Sequence, residues 1–362
     1  MKSIPINLCL AFASDMAVPS SNIDIEVPPP PIQDVRWNEA TKRQTRVATV
    51  FTVFSVVSLL ATWFLSPSHT NQLWRFLVCS GAVLLVGSRY STRHPVPLPK
   101  IWLLSFFVLS FPLLSDFYFE KLSSASKVNS VDELLWAVDA SFGYPQPHLT
   151  RFLMSWPLLF ILCKGVWLSL PLFFVGAYLA LPDIVQTKYL AAIVCIGCVI
   201  APLYALCPGA GPKYLFGTYP ESLPILAHPH PVSLHAGIQL NTTPSGHFAW
   251  ALMMFWFTYK YSRKWVAVVF SLIVVLTIAA TLGLGEHYII DLILSVPYAT
   301  GIWWLVWKQW QRASVFLLIV TAWLISLRIG WALLMPPPMV WVLCALTISC
   351  CTMWKPQTEF SR

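Results

Sequence analysis

The chain alternates long apolar runs with short polar connections, and the length of the runs decides the class of fold. Apolar stretches lie near residues 46–66, 73–89, 101–118, 154–181, 188–206, 245–260, 264–284, 287–308, 314–334 and 338–354. Most approach the roughly 20 residues that a helix needs to cross about 30 Å of hydrocarbon, where each backbone amide must be bonded within its own segment. The pattern predicts an all-α, polytopic integral membrane helix bundle of about ten spans, with the second, sixth and tenth stretches short. Residues 119–153 read differently. There "VDELLWAVDASFG" sets Val131, Leu134, Leu135 and Val138 at helical spacing, which predicts an interfacial amphipathic helix in an outer loop. Residues 1–45 are polar and contain "VPPPPI"; prolines lack amide donors and favour an extended chain, so a disordered cytoplasmic tail is expected. The opening "MKSIPINLCLAFASDMA" has a signal-like outline, but Pro5 and Asn7 interrupt its apolar core, and it is read as part of that tail.

Composition agrees with the pattern and narrows the partners. Of 362 residues, 57% are hydrophobic and 10% charged, too apolar for an ordinary soluble domain. The net charge of +8 is spread between apolar runs and accompanies no nucleic-acid motif, so no nucleic-acid partner is expected. Nine cysteines mostly sit inside apolar runs, Cys195 and Cys198 of the C-x-x-C spacing "CIGC" included, which argues for neither a disulfide framework nor zinc.

Charge instead reports topology, because Lys and Arg collect in short cytoplasmic loops. Basic residues mark the tail (Arg36, Lys42, Arg43, Arg46) and then alternate connections: Arg89, Arg93 and Lys100; Lys188; Lys260, Arg263 and Lys264; Lys308 and Arg312; finally Lys355. The intervening connections are neutral or carry acids, as Glu120, Asp132, Glu133 and Asp139 do. Both termini are therefore expected to be cytoplasmic, with connections 207–244 and 285–287 on the other face. The expected division is a tail over 1–45, N-terminal spans over 46–118, an outer segment over 119–153, a catalytic membrane domain over 154–310, and C-terminal spans with a short tail over 311–362.

Every polar cluster of interest falls on that outer face. In "TTPSGHFAW", Thr243 is placed to cap a helix whose first position is Pro244, since a first-turn residue needs no amide hydrogen. Ser245, Gly246 and His247 would then turn first-turn amides outward, and such a helix start binds anions. Gly246 would let an oxyanion approach, Ser245 adds a hydroxyl, and His247 can exchange a proton near neutral pH. In "GLGEHYIIDLI", His287 and Asp291 stand four apart on one helical face, the arrangement in which a carboxylate orients an imidazole base or nucleophile. In "CPGAGPKYLFG", Lys213 in a Gly- and Pro-rich turn is a candidate cation for phosphate oxygens. His228, His230 and His235 have Pro-interrupted spacing and no acids beside them, so they read as a flexible loop rather than a metal site. Lys164 and Arg328 are charges inside apolar runs, a position that invites a functional partner.

In this order, PSGH followed by H-x-x-x-D at the head of a membrane helix resembles the type 2 phosphatidic acid phosphatase superfamily. The wording "GPKYLFG…TPSGH…GEHYIID" is most similar to its inositol phosphorylceramide synthase-like branch, over roughly residues 200–300. The resemblance implies a lipid phosphatase or phosphotransferase acting on a lipid or polyprenyl phosphate, without metal or other cofactor. By it, His287 attacks phosphorus to give a phosphohistidine, Asp291 orients it, and His247 protonates the leaving group, while Lys213, Ser245 and Gly246 hold phosphoryl oxygens. The superfamily's third motif commonly begins Ser-Arg, and here those places hold Ala280 and Thr281. The first motif of this chain also lacks the superfamily's usual distant Arg-Pro, leaving Lys213 as the only candidate in that turn. A cation from another span, Arg328 ahead of Lys164, is expected to fill the gap. The alternatives are transfer to a lipid alcohol and a catalytically degenerate lipid-binding protein.

Overall fold

The computed structural model describes residues 129–353, apart from 217–218, 222–225, 227, 235–237 and 239. The expected tail and the first three apolar stretches lie outside the described residues. Within them the regular structure is helical, and the single extended pairing is an isolated bridge between Ser130 and Val232.

The helices are α1 (Asp132–Asp139), α2 (Pro145–Ser155), α3 (Pro157–Ala180), α4 (Asp183–Leu206), α5 (Pro212–Leu215), α6 (Gly246–Tyr261), α7 (Lys264–Gly283), α8 (Ile289–Val306), α9 (Trp310–Arg328) and α10 (Pro337–Met353). Their boundaries follow local chemistry. Proline stands at the start of α2, α3 and α5, where the absent amide hydrogen costs nothing. The end of α8 is a Schellman turn: Lys308 N–H donates to the Leu305 carbonyl and Gln309 N–H to that of Trp304. Lys308 itself holds φ 59°, a left-handed position that glycine usually takes.

Four described helical segments are long and apolar enough to cross a membrane: Ile184–Leu206, Lys264–Gly283, Ile289–Val306 and Trp310–Arg328. The pair Pro145–Ser155 and Pro157–Leu170, bent by 117°, makes up to five. The stretches at 245–260 and 338–354 give shorter helices, of 16 and 17 residues, near the lower limit for crossing. The stretch expected as a helix over 314–334 instead begins at Trp310 and ends at Arg328, and a short 3-10 turn, Trp331–Leu334, follows Gly330 at φ 75°.

Packing places α8 at the centre, against α9, α6, α10 and α4, while α7 lies between α6, α3 and α2. Polar side chains tie the helices to one another: Tyr298 Oη donates to the Ile196 carbonyl (2.5 Å), Trp250 Nε1 to that of Ile193 (3.1 Å) and Tyr189 Oη to that of Phe174 (3.1 Å). Between apolar helices such bonds supply association that apolar contact alone does not. The end of α4 and the starts of α6 and α8 thus come to one end of the bundle.

The helix expected as an amphipathic surface element does form, as α1, but it is not surface-laid. Leu134, Leu135, Trp136 and Val138 join the core, and Asp132 and Asp139 are also fully buried. Its acids, which the periodicity assigned to a wet face, turn instead onto backbone amides of the loops described next.

Candidate active site

Three connections interlock at this end: residues 207–213 after α4, 241–245 before α6, and 284–288 before α8. Thr242 N–H donates to the Gly209 carbonyl (3.0 Å), Lys213 N–H to that of Gly285 (3.1 Å) and Ser245 N–H to that of Asp291 (3.2 Å). Two glycines allow this closeness. A Cβ on Gly211, at φ 106°, would come within 2.3 Å of the Glu286 carbonyl oxygen; one on Gly285, at φ 68°, would meet the Tyr219 ring at 2.6 Å.

The start of α6 differs from expectation. Ser245, not Thr243, is the capping residue, its Oγ accepting from Phe248 N–H at 3.4 Å, and Pro244 precedes the helix. Thr243 is drawn away because its hydroxyl donates to Asp291 Oδ1 at 2.6 Å. Gly246 also has a packing task that the sequence did not signal. The space a side chain would fill there is taken by Tyr204 Oη (3.1 Å) and Ile200 (3.2 Å), so its smallness serves the contact between α4 and α6.

His287 is 5% exposed and held at both nitrogens. Nδ1 lies 3.1 Å from the Thr242 carbonyl oxygen and 3.4 Å from Asp291 Oδ2. A carbonyl only accepts, so Nδ1 carries the hydrogen and Nε2 of the neutral ring keeps its lone pair. That Nε2 lies 3.2 Å from Ser245 Oγ. Asp291 accepts from Thr243 and, at 2.8 Å, from Tyr288 N–H, the acid-to-cap bond of a helix start. Ser295 Oγ donates to the carbonyls of Ser245 (2.9 Å) and Asp291 (2.6 Å), fixing α6 and α8 together beneath the imidazole.

His247 stands across from it, ring centroids 6.4 Å apart. Its imidazole is stacked on Trp167 of α3, at 4.7 Å and 15°. No local pattern signalled Trp167, because α3 reads as one unbroken apolar run.

Lys213 is spoken for. Its ammonium pairs with Glu286, the residue before His287, and lies 4.5 Å from the Tyr214 ring centroid. Burial opposes its charge, but Glu286 and Tyr214 outweigh that and raise its pKa above the ordinary lysine value. Glu286 was visible in "GEHYIID", but nothing local said which residue it would meet. Arg328 is placed elsewhere too: at the last turn of α9 it donates to the carbonyls of Ala205 (3.0 Å) and Leu206 (3.1 Å). This contact closes the end of α4. Lys164 is half-buried in α3. Thr281, where the superfamily pattern has arginine, is buried; its hydroxyl returns to the Thr277 carbonyl (2.8 Å), and its own carbonyl accepts from the amides of Glu286 and His287 (both 3.1 Å). His230 N–H donates to Glu133 Oε2 at 2.9 Å, and its Nδ1 lies 3.1 Å from the same oxygen and 3.0 Å from the His228 carbonyl oxygen. His235 lies outside the described residues.

The loops are held from behind by α1, which the sequence did not connect to the site. Asp132 accepts from the amides of Ala210 (2.9 Å) and Gly211 (2.8 Å), from Tyr288 Oη (2.7 Å) and from Ser130. One face further along, Asp139 accepts from the first-turn amides of α8, Ile289 (2.8 Å) and Ile290 (3.4 Å), and from Gln146. Burial raises both carboxyls above the usual range. Asp139 reaches about 8, burial acting first and the nearby Asp291 adding to it against the amide bonds.

One end of a bundle of membrane-length helices thus gathers two histidines, a serine-capped helix start and a carboxylate. In a comparison with known families, the model of the PAP2 superfamily, whose description suggests a phosphatase-like function, matches residues 133–305. That range begins in α1 and closes within α8, so it spans every element of the site. No curated protein and no solved structure matches the chain significantly.

Proposed function

We propose that this site transfers the phosphoryl group of a membrane-borne lipid or polyprenyl phosphate through a covalent phosphohistidine on His287. The observation that carries the reading is the state of His287: Nδ1 is committed to the Thr242 carbonyl beside Asp291, and Nε2 lies against Ser245 Oγ, with the His247 ring centroid 6.4 Å from its own. In the first step the Nε2 lone pair forms a bond to phosphorus as the bond to the lipid oxygen breaks. His247 gives that oxygen its proton. In the second step water, or a lipid alcohol, attacks the phosphorus, the P–N bond breaks, and His247 takes the proton back. Asp291 and the Thr242 carbonyl stabilise the positive charge that His287 acquires. With Lys213 already paired, donors for the phosphoryl oxygens come from Ser245 Oγ and first-turn amides of α6, acting where water is excluded.

The site faces the non-cytoplasmic side in this reading, as the alternation of basic connections requires. The test is purified full-length chain quenched after brief exposure to a lipid substrate labelled at phosphorus. Acid-labile, base-stable label on the wild type and none on His287→Ala supports the reading; turnover by His287→Ala near the wild-type rate overturns it. Following free phosphate and phosphorylated lipid products together separates hydrolysis from transfer to an alcohol, the reaction expected of an inositol phosphorylceramide synthase-like enzyme.

A further inference from the structure

The opposite end of the bundle gathers cations and unspent hydrogen-bond donors. α4 begins there and α6 and α8 end there, so it lies a helix length from His287, about 27 Å by the rise of the 18 residues of α8. Lys188 places Nζ 3.4 Å from the ring centroid of Trp307, and Lys260 places its own 5.8 Å from that ring and from Trp303. Lys308 follows Trp307 directly in sequence, at the end of α8. Three lysines from three segments therefore gather at this end, two of them over one pair of indoles. Among the described residues, none of the three enters an ion pair.

Beneath them the donors are buried. Trp303 and Trp304 are 5% and 4% exposed, and their Nε1 atoms, with Tyr261 Oη, have no hydrogen-bond partner among the described residues. The Tyr261 and Trp303 rings pack on Trp307, with centroids 6.2 and 6.0 Å away. Like charges brought together over unpaired donors are unfavourable until an anion joins them. The backbone points the same way: Lys308 occupies the left-handed position of the α8 Schellman turn, where glycine would relieve strain, so its ammonium is kept against a local preference. Ordinary interfacial lysines extend outward from a helix end; here two reach across indoles of a neighbouring helix.

We propose that this end of the bundle binds the phosphate of an anionic lipid headgroup, held by Lys188, Lys260 and Lys308 over the Tyr261 hydroxyl and the Trp303 indole. A lipid suits it better than a free anion, since the donors lie on an aromatic floor at the ends of apolar helices, where a headgroup and its chains are both accommodated.

The test uses the full chain in nanodiscs with photocrosslinkable phosphatidylglycerol, or phosphatidylcholine as the zwitterionic counterpart, mapping crosslinks by mass spectrometry. Labelling of residues 256–261 and 303–308 is expected to be roughly tenfold stronger with the anionic probe. It should fall to the zwitterionic level in Lys188→Gln/Lys260→Gln and survive in Lys188→Arg/Lys260→Arg, with labelling near His287 unchanged in both. Equal labelling by the two probes, or labelling that ignores the glutamine pair, overturns the proposal. Displacement of the lipid probe by millimolar inorganic phosphate would assign the site to a free anion and overturn the lipid assignment.

Discussion

The indole of Trp167 lies nearly parallel to the imidazole of His247, ring centroids 4.7 Å apart, so a residue of α3 sets the plane in which the expected proton donor works. Stacked pairs of this kind contribute about 0.5–1.5 kcal/mol. If the stack selects the productive ring orientation, Trp167→Ala lowers kcat by roughly threefold to tenfold with little change in KM, and Trp167→Phe restores most of it. Steady-state kinetics on the three proteins decide the matter, and a wild-type kcat in Trp167→Ala would leave the stack without a role in turnover.

Removing His247 itself should cost more. His247→Ala is expected to slow turnover by about 10²–10⁴, the usual contribution of a positioned acid, and by less for substrates whose leaving groups need no proton. Comparing an aryl phosphate with a lipid phosphate measures this. Equal losses on both would make His247 a phosphate ligand.

Arg328 is held by the last carbonyls of α4, a favourable place for a cation at a helix C-terminus. Arg328→Ala should lower thermal stability by about 0.3–1 kcal/mol and leave turnover within a few-fold of wild type. A hundredfold loss of kcat at unchanged stability would return it to the phosphoryl site.

The buried acids of α1 predict a pH dependence with a definite sign. Asp139 has its folded pKa raised to about 8, so folding favours the protonated carboxyl. Its contribution is fully present below the unfolded value and is lost as pH rises through about 8, at no more than about 1.4 kcal/mol per pH unit. The melting temperature should fall as pH rises from the unfolded carboxyl value of 3.8 to about 8 and level off above it, and Asp139→Asn should flatten that slope. A flat wild-type profile would show that the carboxyl is already ionised.

Gly211 and Gly143 separate backbone strain from crowding. Both have positive φ, but a Cβ on Gly143 meets nothing within 4 Å, while one on Gly211 strikes the Glu286 carbonyl. Gly143→Ala should cost about 1 kcal/mol and spare activity. Gly211→Ala should displace the loop that carries His287 and abolish most turnover, which an assay at matched folded fraction reports.

Much of the site could be read from local order along the chain. His287 and Asp291 do meet, at 3.4 Å, although His287 stands before the first turn of α8 and not on its face, and PSGH does open a helix, because spacing and first-turn chemistry are properties of a few neighbouring residues. What could not be read came from contacts made far along the chain. Asp132 meets Tyr288 across 156 positions, and Lys213 meets Glu286 across 73. Periodicity assigned the acids of α1 to a wet face because it weighs polarity and not partners; buried amide donors served them equally well. Trp167 was hidden for the opposite reason, since in an apolar run no residue stands out. The extent of the first three stretches as spans, and with it the count of ten, lies outside the described residues.

The bonds of Asp132 and Asp139 to residues 210, 211, 289 and 290 end on main-chain amides. Nearly every amino acid offers that donor, so the side chains at 210, 289 and 290 can drift in evolution without loosening the clamp. The two aspartates cannot, nor can Gly211 with its crowded Cα. Diverged relatives should therefore be easier to find by an Asp pair seven residues apart on a short helix upstream of PSGH than by the wording of the loops it holds.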